Sequence, residues 1–199
     1  MIMRPEQPMS PPVLVAAPSA APVSLDDVKR HIRDCFDDDD QLLQGLIDGA
    51  VSHFDGYAGI LGRALVTQTW RQDFAAFSHC MRLPLGPLSG VPVITYFDAD
   101  GISRTVPDTI YSAHTDARGP FIALRSGQSW PATASRLDAV SVEFACGEAA
   151  DKVPPAIKVA LMLLVAHWYR NPEVVGDGGN VELPFAVSAL ITPRRRVGV

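Results

Sequence analysis

The sequence predicts an α+β fold: a helical core, made of an N-terminal helical hairpin and a C-terminal apolar helix, with a β-rich antiparallel insertion between them. Three observations predict it. Apolar residues recur at helical spacing over 25–57, the period falls to about two over 64–146, and helical character returns at Pro155. With 199 residues, 47% of them apolar and 20% charged, the chain is able to bury a core of its own.

Residues 1–23 hold six prolines and almost no charge, so they read as a disordered Pro/Ala-rich arm. Arg4 before Val13–Ala17 invites comparison with a signal peptide, but Pro11, Pro12, Pro18 and Pro22 break any helix there. Structure is expected to begin at Ser24, an N-cap followed by Asp26 and Asp27 where carboxylates suit the helix dipole. Leu25, Val28, Ile32, Cys35 and Phe36 then predict a helix over 25–36. Asp37–Asp40 form an acidic linker, with Asp40 capping a second helix. That helix carries Leu42, Leu43, Leu46, Ile47, Ala50, Val51, Phe54 and Tyr57 on one stripe and ends at the glycines 56–62. Two amphipathic helices on a short linker make a hairpin over 24–62.

The insertion spans 63–150. Strands are expected at Val66–Trp70, Val93–Phe97, Ile102–Val106, Thr109–His114, Phe121–Arg125 and Val140–Ala145, with Asp98–Gly101 as a turn. Residues 151–192 complete the helical core. Pro155 suits a first helical turn, and Ala156–Arg170 is apolar nearly all round, which marks a core helix or one shared between subunits. Leu161, Leu164, Trp168 and Tyr169 are its candidate core or ring-interface residues. Gly176–Gly179 reads as a mobile loop. Residues 193–199 form a basic tail, expected to be disordered in the isolated chain because Pro193 stops the preceding element and three consecutive arginines outnumber local partners.

No reaction is suggested. His31, His53, His79, His114 and His167 lack metal-ligand spacing, and no nucleophile elbow, P-loop or dinucleotide fingerprint occurs, so neither metal nor cofactor is expected. The run Asp37–Asp40 lacks the alternation and distal Glu of a calcium loop. Cys35, Cys80 and Cys146 have no paired spacing and read as small buried apolar residues in a reducing compartment. The longest apolar run, Ala156–Tyr169, contains Lys158 and His167, so no membrane span is expected. A net charge of −5 argues against sequence-independent DNA binding over the whole surface.

Several phrases carry a resemblance. They are Ser24–Lys29 and the aspartate run, Gly62–Leu65 leading to Thr67–Trp70, Leu83–Leu88, Tyr96–Gly101 and Ser129–Pro131. Near the end come Val153–Lys158, Ala166–Arg170, and Leu183-Pro184 before Arg194–Arg196. In this order, over about residues 24–196, the set resembles the head–tail connector (adaptor) family of long-tailed phages and gene transfer agents. The resemblance implies a structural subunit of a dodecameric ring beneath the portal. Such a ring extends the DNA channel, passes DNA without sequence-specific binding, and receives head-closure (stopper) or tail-terminator proteins. It implies assembly in the bacterial cytoplasm and a final place in the particle neck. The Pro-rich arm lies outside the resemblance, and Tyr169-Arg170-Asn171-Pro172-Glu173 departs from the charged run expected there. Leu190, Ile191, Arg194, Arg195 and Arg196 become candidates for binding the portal or a neighbouring subunit. The arginine fork suits carboxylate or phosphate, while a solvated end with no role is the alternative. The free chain is expected to be monomeric or weakly associated.

Two other classes compete. A small β-domain binding module would use the sheet around Trp70 and Tyr96 as a platform for a ligand or protein, unrelated to any particle. A hydrolase would use His79 or His114 within a titratable cluster in a cleft.

Overall fold

The computed structural model describes residues 10–33, 36–172 and 183–196. Cys35, the Gly176–Gly179 loop, the first nine residues of the arm and the last three of the tail lie outside the described residues. The chain is α+β, as its periodicities predict. It divides into a helical unit, residues 19–66 and 148–196, and a β unit, residues 67–147 together with 10–18.

In the helical unit, helix α1 (Leu25–Ile32) starts at Ser24, whose hydroxyl accepts from the Asp27 backbone N–H while Asp27 accepts from the Ser24 N–H. This reciprocal capping box is worth about 1 kcal/mol against alanine. The helix ends four residues earlier than its apolar spacing predicts. Arg33 turns left-handed at φ 68°, and its N–H closes the last turn on the Lys29 carbonyl at 3.0 Å. Phe36, expected in the core, is therefore thrown outward and is 76% exposed.

Helix α2 (Asp40–Phe54) follows a short 3-10 turn at Asp37–Asp39. Asp40 is its first residue rather than its cap, and pairs with Lys29 of α1 at 2.5 Å. Leu43, Ile47, Ala50 and Phe54, spaced 4, 3 and 4 apart, form the buried stripe, while Leu42 and Tyr57 are exposed. Helix α3 (Pro155–Arg170) keeps its predicted bounds. Helix α4 (Phe185–Ile191) buries Val187 and Ile191. Helix α3 packs against α1, α2 and α4, and apart from Pro155 only Val159 among its apolar residues is exposed. Much of its all-round apolar surface is thus covered within one chain, with Met162, Leu163, Trp168 and Tyr169 partly buried.

In the β unit, strands β1 (Val13–Ala16), β2 (Gln68–Phe74), β3 (Cys80–Arg82), β4 (Val93–Phe97), β5 (Ser103–Thr105), β6 (Tyr111–Asp116), β7 (Gly119–Leu124) and β8 (Val140–Cys146) form two antiparallel sheets. The larger has the order β1-β2-β8-β4-β5, the smaller β3-β7-β6. Register places Gln72, Val142 and Ile94 in one cross-strand row and Phe74, Val140 and Tyr96 in another, which gives the larger sheet its inward face. Met81 and Ile122, paired in the smaller sheet, are likewise buried. Val66 bridges to Glu148, so the insertion leaves and re-enters the helical unit side by side.

Two expectations about the β region change. Residues 13–16, assigned to a disordered arm, form β1 on the edge of β2, pairing Val13 with Arg71 and Leu14 with Trp70. The side chain of buried Gln72 donates to the Ser10 carbonyl at 2.6 Å and ties down the start of this segment. Local composition marks the prolines of the arm, but the pairing that orders it comes from a strand far along the chain. Cys80 is exposed rather than buried, because in β3 the inward position belongs to Met81; Cys146 is buried.

Candidate functional site

The basic tail does not hang free over its described length. Ile191 is 2% exposed and belongs to the helical core, and Leu190 packs against that core. A 3-10 turn continues through Thr192–Arg194, with the Thr192 hydroxyl donating to the Ser188 carbonyl at 2.7 Å. The Arg195 guanidinium donates to the Ile60 carbonyl at 3.0 Å, and the Arg196 backbone N–H to the Leu61 carbonyl at 2.9 Å. Gly62, at φ +60°, lies beside this contact, where an added Cβ would stand 3.5 Å from the Arg196 carbonyl oxygen. The tail over 190–196 is therefore seated on the turn that follows α2. The expectation of disorder fails there because the turn supplies carbonyl acceptors that no local reading of the tail reveals. Arg194 remains exposed.

The four helix residues separate into two roles. Leu161 and Leu164 are fully in the core. Trp168 lies against Gly49 of α2, where an added Cβ would stand 3.7 Å from its ring. The Tyr169 hydroxyl donates to the Asp39 carboxylate, so the aspartate run is engaged by α3 and by Lys29.

The competing platforms come apart. Trp70 sits beside Phe144 and Tyr96 beside Val140, on opposite flanks of β8 and displaced along it. Trp70 donates its indole N–H to Gln68 at 2.9 Å, while Tyr96 meets Phe77, which stacks on Trp130 at 4.5 Å. Register puts both half-buried rings on the same face of the larger sheet, separated by the width of β8 and by four residues along it. His114 shares a 2.8 Å hydrogen bond with Ser112 on the outward face of the smaller sheet, its ring on Phe121. The neighbouring Asp116 is taken by Arg82 through two bonds of 3.0 and 2.7 Å, which hold its carboxyl at about 2. His79 is exposed just before β3.

The α1–α3 surface has an open cleft of about 560 Å³ lined by Val23, Asp27, Arg30, His31, Lys158 and Met162. Asp27 there is committed to the capping box, and the Ser24 hydroxyl and N–H, then Arg30, hold its carboxyl below the usual range. Among the described residues, no group of three or more His, Cys, Asp or Glu is placed to hold a metal, and no helix is long and apolar enough to cross a membrane.

What stands open is surface. Both outer edges of the larger sheet are uncovered among the described residues: β1, with Val13, Leu14 and Val15 between 44% and 50% exposed, and β5, preceded by Ile102 at 53%. Sequence reading missed the β1 edge. The run Val-Leu-Val inside a charge-free stretch was its signal, outweighed by the flanking prolines.

No family model matches the chain, and no curated relative does. Solved structures do. The chain is similar to one in the neck of an empty gene transfer agent particle determined with C6 symmetry, at 24% identity and a TM-score of 0.74 over 96% of this chain and 97% of that one. It is similar to a chain in the virion of a native gene transfer agent particle, at 25% identity and 0.73 over 94% and 96%. A third likeness is to a chain in the neck of the native particle determined with C12 symmetry, at 23% identity and 0.65 over 94% and 97%. These likenesses agree with the head–tail connector resemblance read from the sequence.

Proposed function

We propose that the chain is a non-catalytic structural subunit of the neck of a phage-like particle. In this reading it forms a ring, a dodecamer in the particle, beneath the portal, where it extends the DNA channel and receives head-closure or tail-terminator proteins. The observation that carries the reading is the reach of the likeness, which spans nearly all of this chain and of the neck chain together, helical unit and β unit alike. A net charge of −5 suits a wall that DNA passes without sticking. Assembly in the bacterial cytoplasm precedes the final position in the neck.

Of the proposed portal-binding segment, Ile191 is buried, the Arg195 guanidinium bonds to the Ile60 carbonyl and the Arg196 backbone N–H to the Leu61 carbonyl, while Arg194 is exposed. That exposure supports Arg194 as the group that meets a portal carboxylate or passing DNA. Particle fractionation tests the whole reading. The chain is expected to co-purify with DNA-filled heads and tails, and an image of the neck is expected to show it as one ring below the portal. Its absence from purified particles overturns the proposal. Within it, Arg194→Ala is expected to lower occupancy on portals while folding is kept; unchanged occupancy returns the tail to a solvated end.

A further inference from the structure

The two open edges of the larger sheet complement each other, and we propose that β1 of one copy pairs with β5 of the next, so that the sheets of adjacent subunits are joined edge to edge. This rests on the ring reading above and adds the contact that builds the ring.

Edge strands in natural proteins are usually guarded by charge, because unpaired backbone N–H and C=O groups recruit any passing strand. Strand β1 carries no such guard: no charged residue occurs between Glu6 and Asp26. Prolines at 11, 12 and 18 bracket it instead. Lacking N–H groups, they restrict outward pairing to the few residues between them, which makes a short docking strand rather than a surface for open-ended aggregation. The register skips from Leu14–Trp70 to Ala16–Thr69, so Val15 stands opposite no residue of β2. At the other edge, β5 is similarly short, three residues against four, and Ile102 beside it is apolar and exposed. Its one charge, Arg104, is already held by Asp98, so pairing there strands no cation.

Topology fixes the sense of the joint. Every neighbouring pair in β1-β2-β8-β4-β5 is antiparallel, so β1 and β5 run in the same direction. A cyclic axis carries one copy onto the next without reversing its strands, so β5 meets the next copy's β1 in parallel. This contact is heterologous, the kind that closes a ring, whereas a β1–β1 contact about a two-fold axis would be antiparallel and stop at a dimer. A parallel joint of three or four residues is weak, which fits a chain that is monomeric alone and assembles on a template.

Cysteine cross-linking in particles tests it. In a background with Cys35→Ser and Cys80→Ser, Val13→Cys is combined with Ser103→Cys or with Thr105→Cys; all three positions lie on the same sheet face by register. After mild oxidation, particles carrying either double variant are expected to give a ladder of cross-linked copies extending past the dimer, and Val13→Cys alone to give none. Dimers from Val13→Cys alone, or no ladder from either double variant in particles that contain the chain, overturn the joint while leaving the ring reading intact. Particles that lack even the background chain overturn the ring reading and the joint together. Should a double variant not incorporate, Val13→Lys decides: it is expected to fold, by circular dichroism, and to lose incorporation about tenfold. Normal incorporation of that variant overturns the proposal.

Discussion

In the helical unit one element meets all the others: α3 packs on α1, α2 and α4, and the apolar stripes of those helices converge on it. In the β unit the same organising role falls to β8, between β2 and β4, and to β7, between β3 and β6. The two arrangements differ in what they leave over. A helix closes its backbone hydrogen bonds on itself, so once its side chains are covered only its ends remain, and here Ser24 and Arg33 deal with those of α1. A sheet always ends in two strands with one unpaired side. The helices satisfy their mid-chain backbone groups within one chain, whereas the β unit is left with edges.

The contrast breaks most readily at its helical end. Phe54 is fully buried where the last turn of α2 meets the core, and Phe54→Ala is expected to cost about 3–5 kcal/mol. Denaturant unfolding followed in the far ultraviolet checks this, and an unchanged midpoint would mean that α2 does not carry the core. A step smaller is Gly59→Ala. An added Cβ would stand 2.3 Å from the Asp55 carbonyl oxygen and 2.5 Å from that of Phe54, so backbone must move. A loss of about 1–3 kcal/mol is expected in the same measurement.

The β end sharpens the comparison with gentler changes. Gln72→Ala removes the bond to the Ser10 carbonyl and is expected to cost about 1 kcal/mol. Its more telling readout is hydrogen exchange, which should quicken over 13–16 well before it quickens in β8. The smallest effect belongs to the ion pair that crosses the smaller sheet from Arg82 to Asp116. Arg82 holds the Asp116 carboxyl at about 2, below its ordinary 3.8. A depressed carboxylate stabilises the fold above the unfolded-state pKa and loses that contribution as pH falls through the folded value. The melting-temperature difference between wild type and Asp116→Asn should therefore be small, present at neutral pH, and fade as pH falls through about 2. A difference that persisted in acid would show that the asparagine acts through something other than the lost charge.

Legibility followed the range of the interactions involved. The bounds of α3 and β4 were readable to the residue, because Pro155 opens the one and the turn Asp98–Gly101 closes the other. For α1 the apolar spacing ran on to Phe36, but the helix stopped where Arg33 adopts a left-handed conformation that nothing in its residue type demands. Among the site candidates, Leu161 and Leu164 behaved as an apolar helix predicts. Trp168 and Tyr169 found partners in Gly49 and Asp39 that helical periodicity alone does not point to.

By itself the sequence determined most of the helix and strand, though not β1, β3 or the end of α1, since period, proline and glycine act within a few residues of chain. It also carried the ordered phrases that resemble the head–tail connector family. Only the tertiary structure decided that Val13 lies against Arg71, that Arg196 is hydrogen-bonded to Leu61, and that β1 and β5 are the outer strands of the larger sheet. The first two are backbone contacts between residues far apart in the chain, and the third is where such contacts end. A backbone N–H or carbonyl is the same group in nearly every residue, so the sequence around it does not name its partner; only the arrangement of the whole unit does.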